Sequence, residues 1–377
     1  MRLLQLQTEA DSLQACRAAG RAVEDANLRG WAALIDPNLS PLAEGLRQSG
    51  VAVLRGDHAF LALGTLSQLW SAARSLGDAF DRDPLRGAAR DLMLRAQHVE
   101  SPAPGAAWKL PRTRLPEGRT LVMGIINATP DSFSDGGAYD PLSRGLQLAE
   151  EGADILDVGG ESTRPNAAPV DVAEERRRTE PVIRELAKRT RLPISIDTSK
   201  AEVASAALDA GAEIVNDVSG GKRDPRLLRA ASGAAFVLMH MRGTPLDMQS
   251  RAVYSDLHLE IEQELTEALG RARAAGIPDD RIALDPGLGF AKTAAHNLAL
   301  LRRLRELTQL GRPLVVGASR KSFLGIATDK PPAQRVNASV AAAVVGAWQG
   351  AAVLRVHDVA ATREALAVAD AIRTSAG

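Results

Sequence analysis

The chain has a single cysteine, Cys16, among its 377 residues, which excludes a disulfide framework and any multi-thiolate zinc or iron–sulfur centre. A reducing, cytoplasmic compartment is the expected setting. Histidine is scarce as well. The six present (His58, His98, His240, His258, His296 and His357) are scattered with no HxxxH pair, so a histidine-built zinc site is excluded and any metal must be held by oxygen. There is no excess of either charge: 46 basic residues balance 46 acidic ones, which argues against a nucleic-acid surface. Long apolar runs are missing too. The most hydrophobic stretch, Ala338 to Trp348, falls short of the roughly 18 residues a membrane span needs, and the amino terminus lacks a charged-then-apolar signal pattern. With 45% hydrophobic and 24% charged residues, the chain has the mix of a globular protein with a real core. Its length favours two domains.

Proline marks the division. Between Glu100 and Gly118 the sequence reads ESPAPGAAWKLPRTRLPEG, where Pro102, Pro104, Pro111 and Pro116 stop any helix and no apolar periodicity replaces it. The expected organisation is an α/β extension over 1–100, a Pro-rich linker over 101–118 and a second domain over 119–377. The extension alternates short apolar runs (Trp31 to Ile35, Val51 to Leu54) with helix-like segments such as Pro41 to Gln48. It holds no phosphate loop, metal cluster or nucleophile motif.

After the linker, eight short runs rich in β-branched residues recur, each ending in polar groups. They are Leu121–Ile126 before Asn127, Ile155–Val158 around Asp157, Ile194–Ile196 before Asp197, Ile214–Val215 before Asn216, Phe236–Met239 before His240, Ile282–Leu284 before Asp285, Leu314–Val316 before Ser319-Arg320-Lys321, and Val353–Val356 enclosing Arg355. Helix-length segments such as Ala173–Lys188 and Asp256–Ala275 separate most of them. Eight strand-then-helix units in this length predict a (β/α)8 TIM barrel, whose parallel strands are buried on both faces. An open doubly wound sheet would gather its polar residues at one switch point; here they end nearly every strand.

On a barrel those strand ends meet at one mouth. Asp197 and Asp285 each close an apolar run, and buried acids need N–H donors, which a flat heterocycle such as a guanine or pterin would supply. Asn216 and Lys321 could complete the rim. The bland alternative for each Asp is a helix N-cap. Two polar segments, Asn127–Gly137 and Gly159–Pro165, read as mobile active-site loops. In Leu354–Asp358, Arg355 and His357 point the same way along a strand. With Asn127 from the neighbouring first strand they suit an anion such as phosphate or diphosphate with Mg2+. The alternative is an Arg355–Asp358 ion pair.

The segments MGIINATPDSFSDGG, ADILDVGGESTRP, PISIDTSK, IVNDVSGG, LMHMRGTP, ALDPGLGF, VVGASRKSFLG and LRVHDV, in this order, resemble the dihydropteroate synthase family from Leu121 to the end. The resemblance implies a (β/α)8 barrel, usually a homodimer, that joins p-aminobenzoate to 6-hydroxymethyl-7,8-dihydropterin diphosphate and releases diphosphate with Mg2+ bound. It implies further that Asp197, Asn216, Asp285 and Lys321 bind the pterin with Met239 and Phe290 packing nearby, and that Asn127 ligates Mg2+. Arg355 and His357 would hold the diphosphate, helped by Arg164, while Phe133, Thr163, Arg164, Pro165, Ser319 and Lys321 would frame the p-aminobenzoate pocket. Partners would be these small molecules, with no nucleic acid and no membrane. Ala128, Asn166 and Ala291 depart from residues common in the family. A pterin-binding methyltransferase serving a corrinoid protein would share the barrel and the carboxylates but lack TPDSFSDGG, SRKS and RVHDV. A paralogue without turnover would have lost Asn127, Arg164, Lys321 or Arg355.

Overall fold

Alternating apolar runs produce two kinds of sheet in this chain, described by a computed structural model over residues 2–6, 15, 19, 30–79, 88–89, 91–93, 95–96, 108–128, 140–164 and 167–375. One compact unit draws on residues 1–102 together with 305–311, and the rest of the chain forms the other. In the first unit, strands β1 (Arg2–Leu6), β2 (Gly30–Ile35), β3 (Ala52–Arg55) and β4 (Phe60–Gly64) form an antiparallel sheet in the order β1-β2-β4-β3. Helices Ser40–Gln48 and Leu66–Ala79 accompany it, and Leu3, Ile35, Leu42, Leu46 and Leu69 lie in its core. The edge strand β1 is paired by a side chain: Leu3 N donates to Gln309 Oε1 at 3.0 Å and Gln309 Nε2 donates to the Leu3 carbonyl at 3.3 Å. An amide thus stands in for a neighbouring strand and blunts the edge.

The second unit is built on eight parallel strands: β5 (Leu121–Asn127), β6 (Ile155–Gly159), β7 (Ile194–Asp197), β8 (Ile214–Asp217), β9 (Ala235–Met239), β10 (Ile282–Asp285), β11 (Val315–Val316) and β12 (Val353–Val356). Their order is β10-β9-β8-β7-β6-β5-β12-β11, and a parallel bridge from Leu284 to Leu314 brings the two ends together. This is the (β/α)8 barrel that the eight runs predict. Helices start where the sequence places side-chain acceptors. Asp171 caps Val172–Arg189 by accepting from Glu174 N, and Asp256 caps Leu257–Ala274 by accepting from Leu259 N. Among the described residues no helix is long and apolar enough to cross a membrane.

The Pro-rich stretch read as a linker contributes to the barrel. Trp108 and Leu115 join the interior cluster of Leu121, Ile155, Ile214, Ala235, Val315 and Val353, and Trp108 Nε1 donates to the Arg281 carbonyl at 3.0 Å. Prolines stop regular structure without stopping burial, so apolar residues spaced between them can still close a barrel end.

Period-two alternation then positions the site. Ile155, Ile214, Val237, Ala283 and Val353 belong to the interior cluster. The side chains two residues further along the same strands, Asp157, Asn216, Met239, Asp285 and Arg355, therefore form the next interior layer, at the carboxyl ends. The interior changes from apolar to ionised within one pleat.

Candidate active site

Arg355 on β12 is the hub of that layer. Its Nε donates to Asp157 Oδ2 and its Nη2 donates to Asp197 Oδ2, each at 2.6 Å. Asn216 Nδ2 donates to the same Asp157 oxygen at 3.1 Å. Asp157 is fully buried, and Asp197 and Asn216 nearly so. Burial, opposed by Arg355 and aided by the Asp157 charge, pushes the Asp197 carboxyl up to about 7. The 2.6 Å contact with a guanidinium favours the ionised form of Asp197. The alternative, an Arg355–Asp358 ion pair, does not form. Arg320 takes Asp358 instead, through bonds of 2.5 and 3.1 Å, because Arg355 faces into the barrel where two carboxylates compete for it.

A second carboxylate faces a lysine. Asp285 ends β10 and accepts Gly287 N at 2.6 Å; burial raises its pKa, while Lys321 opposes the rise. Burial also lowers Lys321, to about 8, against the attraction of Asp285. Lys321 Nζ donates to the Leu288 carbonyl and lies 4.7 Å from the centre of the Phe290 ring. Met239 and Phe290 share an apolar cluster with Val218, Met241 and Met248. The turn after Asp285 needs glycine: Gly287 has φ +70°, and a Cβ there would sit 2.0 Å from the His240 carbonyl oxygen. Ala291, two residues beyond Gly289, has φ +48° with a Cβ it would do better without. Ala291→Gly is expected to raise unfolding free energy by about 0.5–1 kcal/mol in urea titrations, since the left-handed conformation is strained for alanine.

His357 is not the cation that the sequence suggested. Burial, with Arg355 and Arg320 nearby, pushes its imidazole down to about 3, so at neutral pH it offers an N–H without charge. Its Nδ1 lies 3.0 Å from Ser319 Oγ, which also accepts the His357 backbone N–H at 3.2 Å. Ser319 therefore orients the ring. His357 and Asn127 line one cavity of about 540 Å³ with Arg320, Arg144 and Asp358.

Thr163 is half-buried and Arg164 exposed on the second loop, where Arg164 contributes to the field that depresses His357. The base of this loop is tied down: Lys200 Nζ donates to Glu161, Glu175 and the Val170 carbonyl, the last at 2.6 Å. Phe133 and Pro165, expected around the p-aminobenzoate pocket, lie outside the described residues, as do Asp131 and Asp135.

Two features were missed by sequence reasoning. Asp157 was seen only as part of a strand, although an acid two positions after the inward-facing Ile155 is itself a signal. The other is a buried pair behind Phe290. Lys292 Nζ donates to the Phe290 carbonyl at 3.0 Å and meets His240 Nδ1 at 2.9 Å. Burial holds the Lys292 amine well below its ordinary pKa, and burial with Lys292 lowers His240 to about 4. His240 Nε2 comes within 3.3 Å of Glu264 without hydrogen-bonding geometry, in keeping with a neutral ring.

The chain that carries this polar cup is similar to known proteins in sequence and fold. The pterin binding enzyme family matches residues 123–357. The dihydropteroate synthase of Synechocystis is 48% identical over 264 residues, covering 67% of this chain and 90% of its own. That of Escherichia coli is 45% identical over 265 residues, covering 69% and 94%. Among solved structures, the Yersinia pestis dihydropteroate synthase with a sulfonamide complex superposes with TM-score 0.67 at 44% identity, covering 70% of this chain and 98% of that one. The Xanthomonas albilineans enzyme in complex with 7,8-dihydropteroate gives TM-score 0.63 at 45% identity, covering 68% and 95%. Residues 1–122 lie outside the family match. Since the match spans most of the barrel and the relatives align along about nine tenths of their own length, the chain belongs to the pterin-binding enzymes, in the dihydropteroate synthase family.

Proposed function

We propose that this barrel joins p-aminobenzoate to 6-hydroxymethyl-7,8-dihydropterin diphosphate, giving 7,8-dihydropteroate and diphosphate in folate biosynthesis, with the reacting groups held by the interior layer at the strand ends. The observation that carries the reading is the pair of buried acids, Asp197 and Asp285, each next to a cation, Arg355 and Lys321. Carboxylates held out of water favour a flat ring that presents N–H donors. Asp197, Asn216, Asp285 and Lys321 take the ring edge, and Met239 and Phe290 pack against its face. Lys321 over Phe290 keeps its charge directed toward that face.

Arg355, the neutral His357 and Arg164 supply donors to the diphosphate end, and Ser319 holds His357 in its orientation. Among the described residues no three acidic or histidine side chains converge as a metal cage. Asn127, an oxygen donor at the end of β5 in the cavity that His357 also lines, suits Mg2+, which takes few protein ligands and fills its shell with water and phosphate oxygens. Bound there, the ion would neutralise charge gathering on the diphosphate.

The chain's own groups favour a loose substitution at carbon. The aromatic amine is nucleophilic when neutral, so no strong base is needed. The negative Asp197 and Asp285 stabilise a pterin that becomes cationic as diphosphate leaves, and they are in place before the bond breaks. Thr163, Arg164 and Pro165 from the second loop and Phe133 from the first, with Ser319 and Lys321, frame the amine's pocket and exclude water from the cation.

A homodimer fits the exposed apolar side chains Val345 and Trp348 on helix Val336–Trp348 and Val368 and Ile372 on the adjoining helix Val359–Thr374. A reducing, cytoplasmic setting fits the single cysteine. The decisive assay is diphosphate release from the pterin substrate with Mg2+, omitting each component in turn. Release is expected only with both organic substrates present; release without p-aminobenzoate would assign another acceptor.

A further inference from the structure

The hub arginine is over-subscribed, and its partners are unequal. Asp157 Oδ2 accepts both Arg355 Nε at 2.6 Å and Asn216 Nδ2 at 3.1 Å. The other oxygen of that carboxylate, Oδ1, is buried and has no hydrogen-bond partner among the described residues. A buried carboxylate oxygen without a protein partner is costly unless water or another group pairs it, so it stands ready to accept a donor. Its place is informative. A carboxylate that accepts Nε of an arginine on one oxygen presents the other to the adjacent Nη, which is the side-on bidentate pair. Yet the Nη2 of Arg355 is turned away, onto Asp197 Oδ2 at 2.6 Å.

That same Asp197 oxygen is wanted by the pterin edge, so the guanidinium and the substrate compete for it. We infer that Asp157 is a positioning residue that provides Arg355 with a second seat: as the pterin takes Asp197, Nη2 moves from Asp197 Oδ2 to Asp157 Oδ1 while Nε stays on Asp157 Oδ2. The inference rests on the reading that Asp197 binds the ring. No bond is made or broken other than hydrogen bonds. In the second seat both carboxylates stay paired, Asp197 by ring N–H groups and Asp157 by the arginine. Two of the five N–H groups of the guanidinium are engaged in either seat, so the move changes which carboxylate holds Arg355 and not how many donors remain for an anion. Asp157 also holds Asn216 throughout, so one side chain sets the orientation of two substrate-binding groups without touching substrate. Ring binding and the aim of Arg355 become linked, because occupying Asp197 leaves the guanidinium held by Asp157 alone.

Asp157→Asn keeps the shape but puts an amide where Nη2 must land. Calorimetry with 6-hydroxymethylpterin, which lacks the diphosphate, is expected to show roughly tenfold weaker binding, the scale of one lost hydrogen bond to a charged group. In steady-state assays the KM for pterin diphosphate should rise comparably, while that for p-aminobenzoate stays within about twofold, because sites without shared partners vary independently. In an Arg355→Lys background, which keeps a cation but has a single nitrogen, Asp157→Asn should alter pterin affinity by less than about twofold, showing that the two residues act as one unit. An equal tenfold loss in both backgrounds would overturn the inference, because Asp157 would then act through packing or Asn216 alone. A second measurement uses the unaltered protein. With 15N-labelled arginine, the Arg355 Nε–H should stay protected from exchange when the pterin is added, and its loss of protection would also overturn the second seat. If the unaltered protein bound no pterin, the functional reading itself would fall, and that result is separate from either of these.

Discussion

Asp197→Asn is expected to weaken pterin binding by roughly a hundredfold, about 3 kcal/mol, the upper end for a hydrogen bond to a charged group. The amide turns a donor toward the ring's own donors, and the release of Arg355 from the contact it holds at 2.6 Å offsets only part of that loss. Calorimetric titration with the pterin measures this directly, and a loss under about threefold, less than a neutral hydrogen bond contributes, would reject the assignment. The pH dependence gives a second check. Burial raises the Asp197 carboxyl to about 7, so in the unaltered protein pterin affinity should fall as pH drops below that value and the acceptor takes a proton. The asparagine variant should lack that step.

Arg355→Ala is expected to cost about 3–5 kcal/mol of stability at neutral pH, the penalty for stripping the counter-charge from buried carboxylates. Asp157 is completely buried and Asp197 almost so, and no water replaces the guanidinium easily. The sign of the pH dependence follows from linkage. Burial raises the Asp197 carboxyl and Arg355 opposes the rise, so in the variant its folded pKa lies further above the unfolded one, and the penalty is small at low pH and grows as pH rises through the folded value. Urea unfolding at pH 5 and pH 8 should therefore show the larger deficit at pH 8. A deficit that did not grow with pH would mean that the two acids do not depend on Arg355. Turnover should fall with it, since the variant also loses a donor to the leaving diphosphate.

The barrel was legible because its signal is repeated and local. Eight β-branched runs, each closed by a polar residue, survive errors in any one of them; even the two-residue strand Val315–Val316 was visible through Ser319-Arg320-Lys321 beyond it. Asp197, Asn216, Asp285 and Arg355 were legible for the same reason, as polar residues ending apolar strands. Asp157 was not, since two strand residues, Val158 and Gly159, follow it, and among Ile155, Leu156 and Val158 an acid reads as an interruption. Lys292 was hidden by its neighbours: a lysine after a glycine-rich turn reads as surface, yet it is buried against the Phe290 carbonyl. Trp108 was misread because prolines around it suggested an open connection.

By itself, then, the sequence determined the strand count, the alternation that turns Asp157, Asn216, Asp285 and Arg355 inward, and the chemistry available at the mouth, because a period of two depends only on neighbouring residues. Only the tertiary structure decided who pairs with whom. Arg355 finds carboxylates 198 and 158 positions earlier in the chain rather than Asp358 three residues on, and His357 loses its charge to burial and to two nearby arginines. Charge pairing and desolvation depend on distances through space, and those are set when the strands close into a ring.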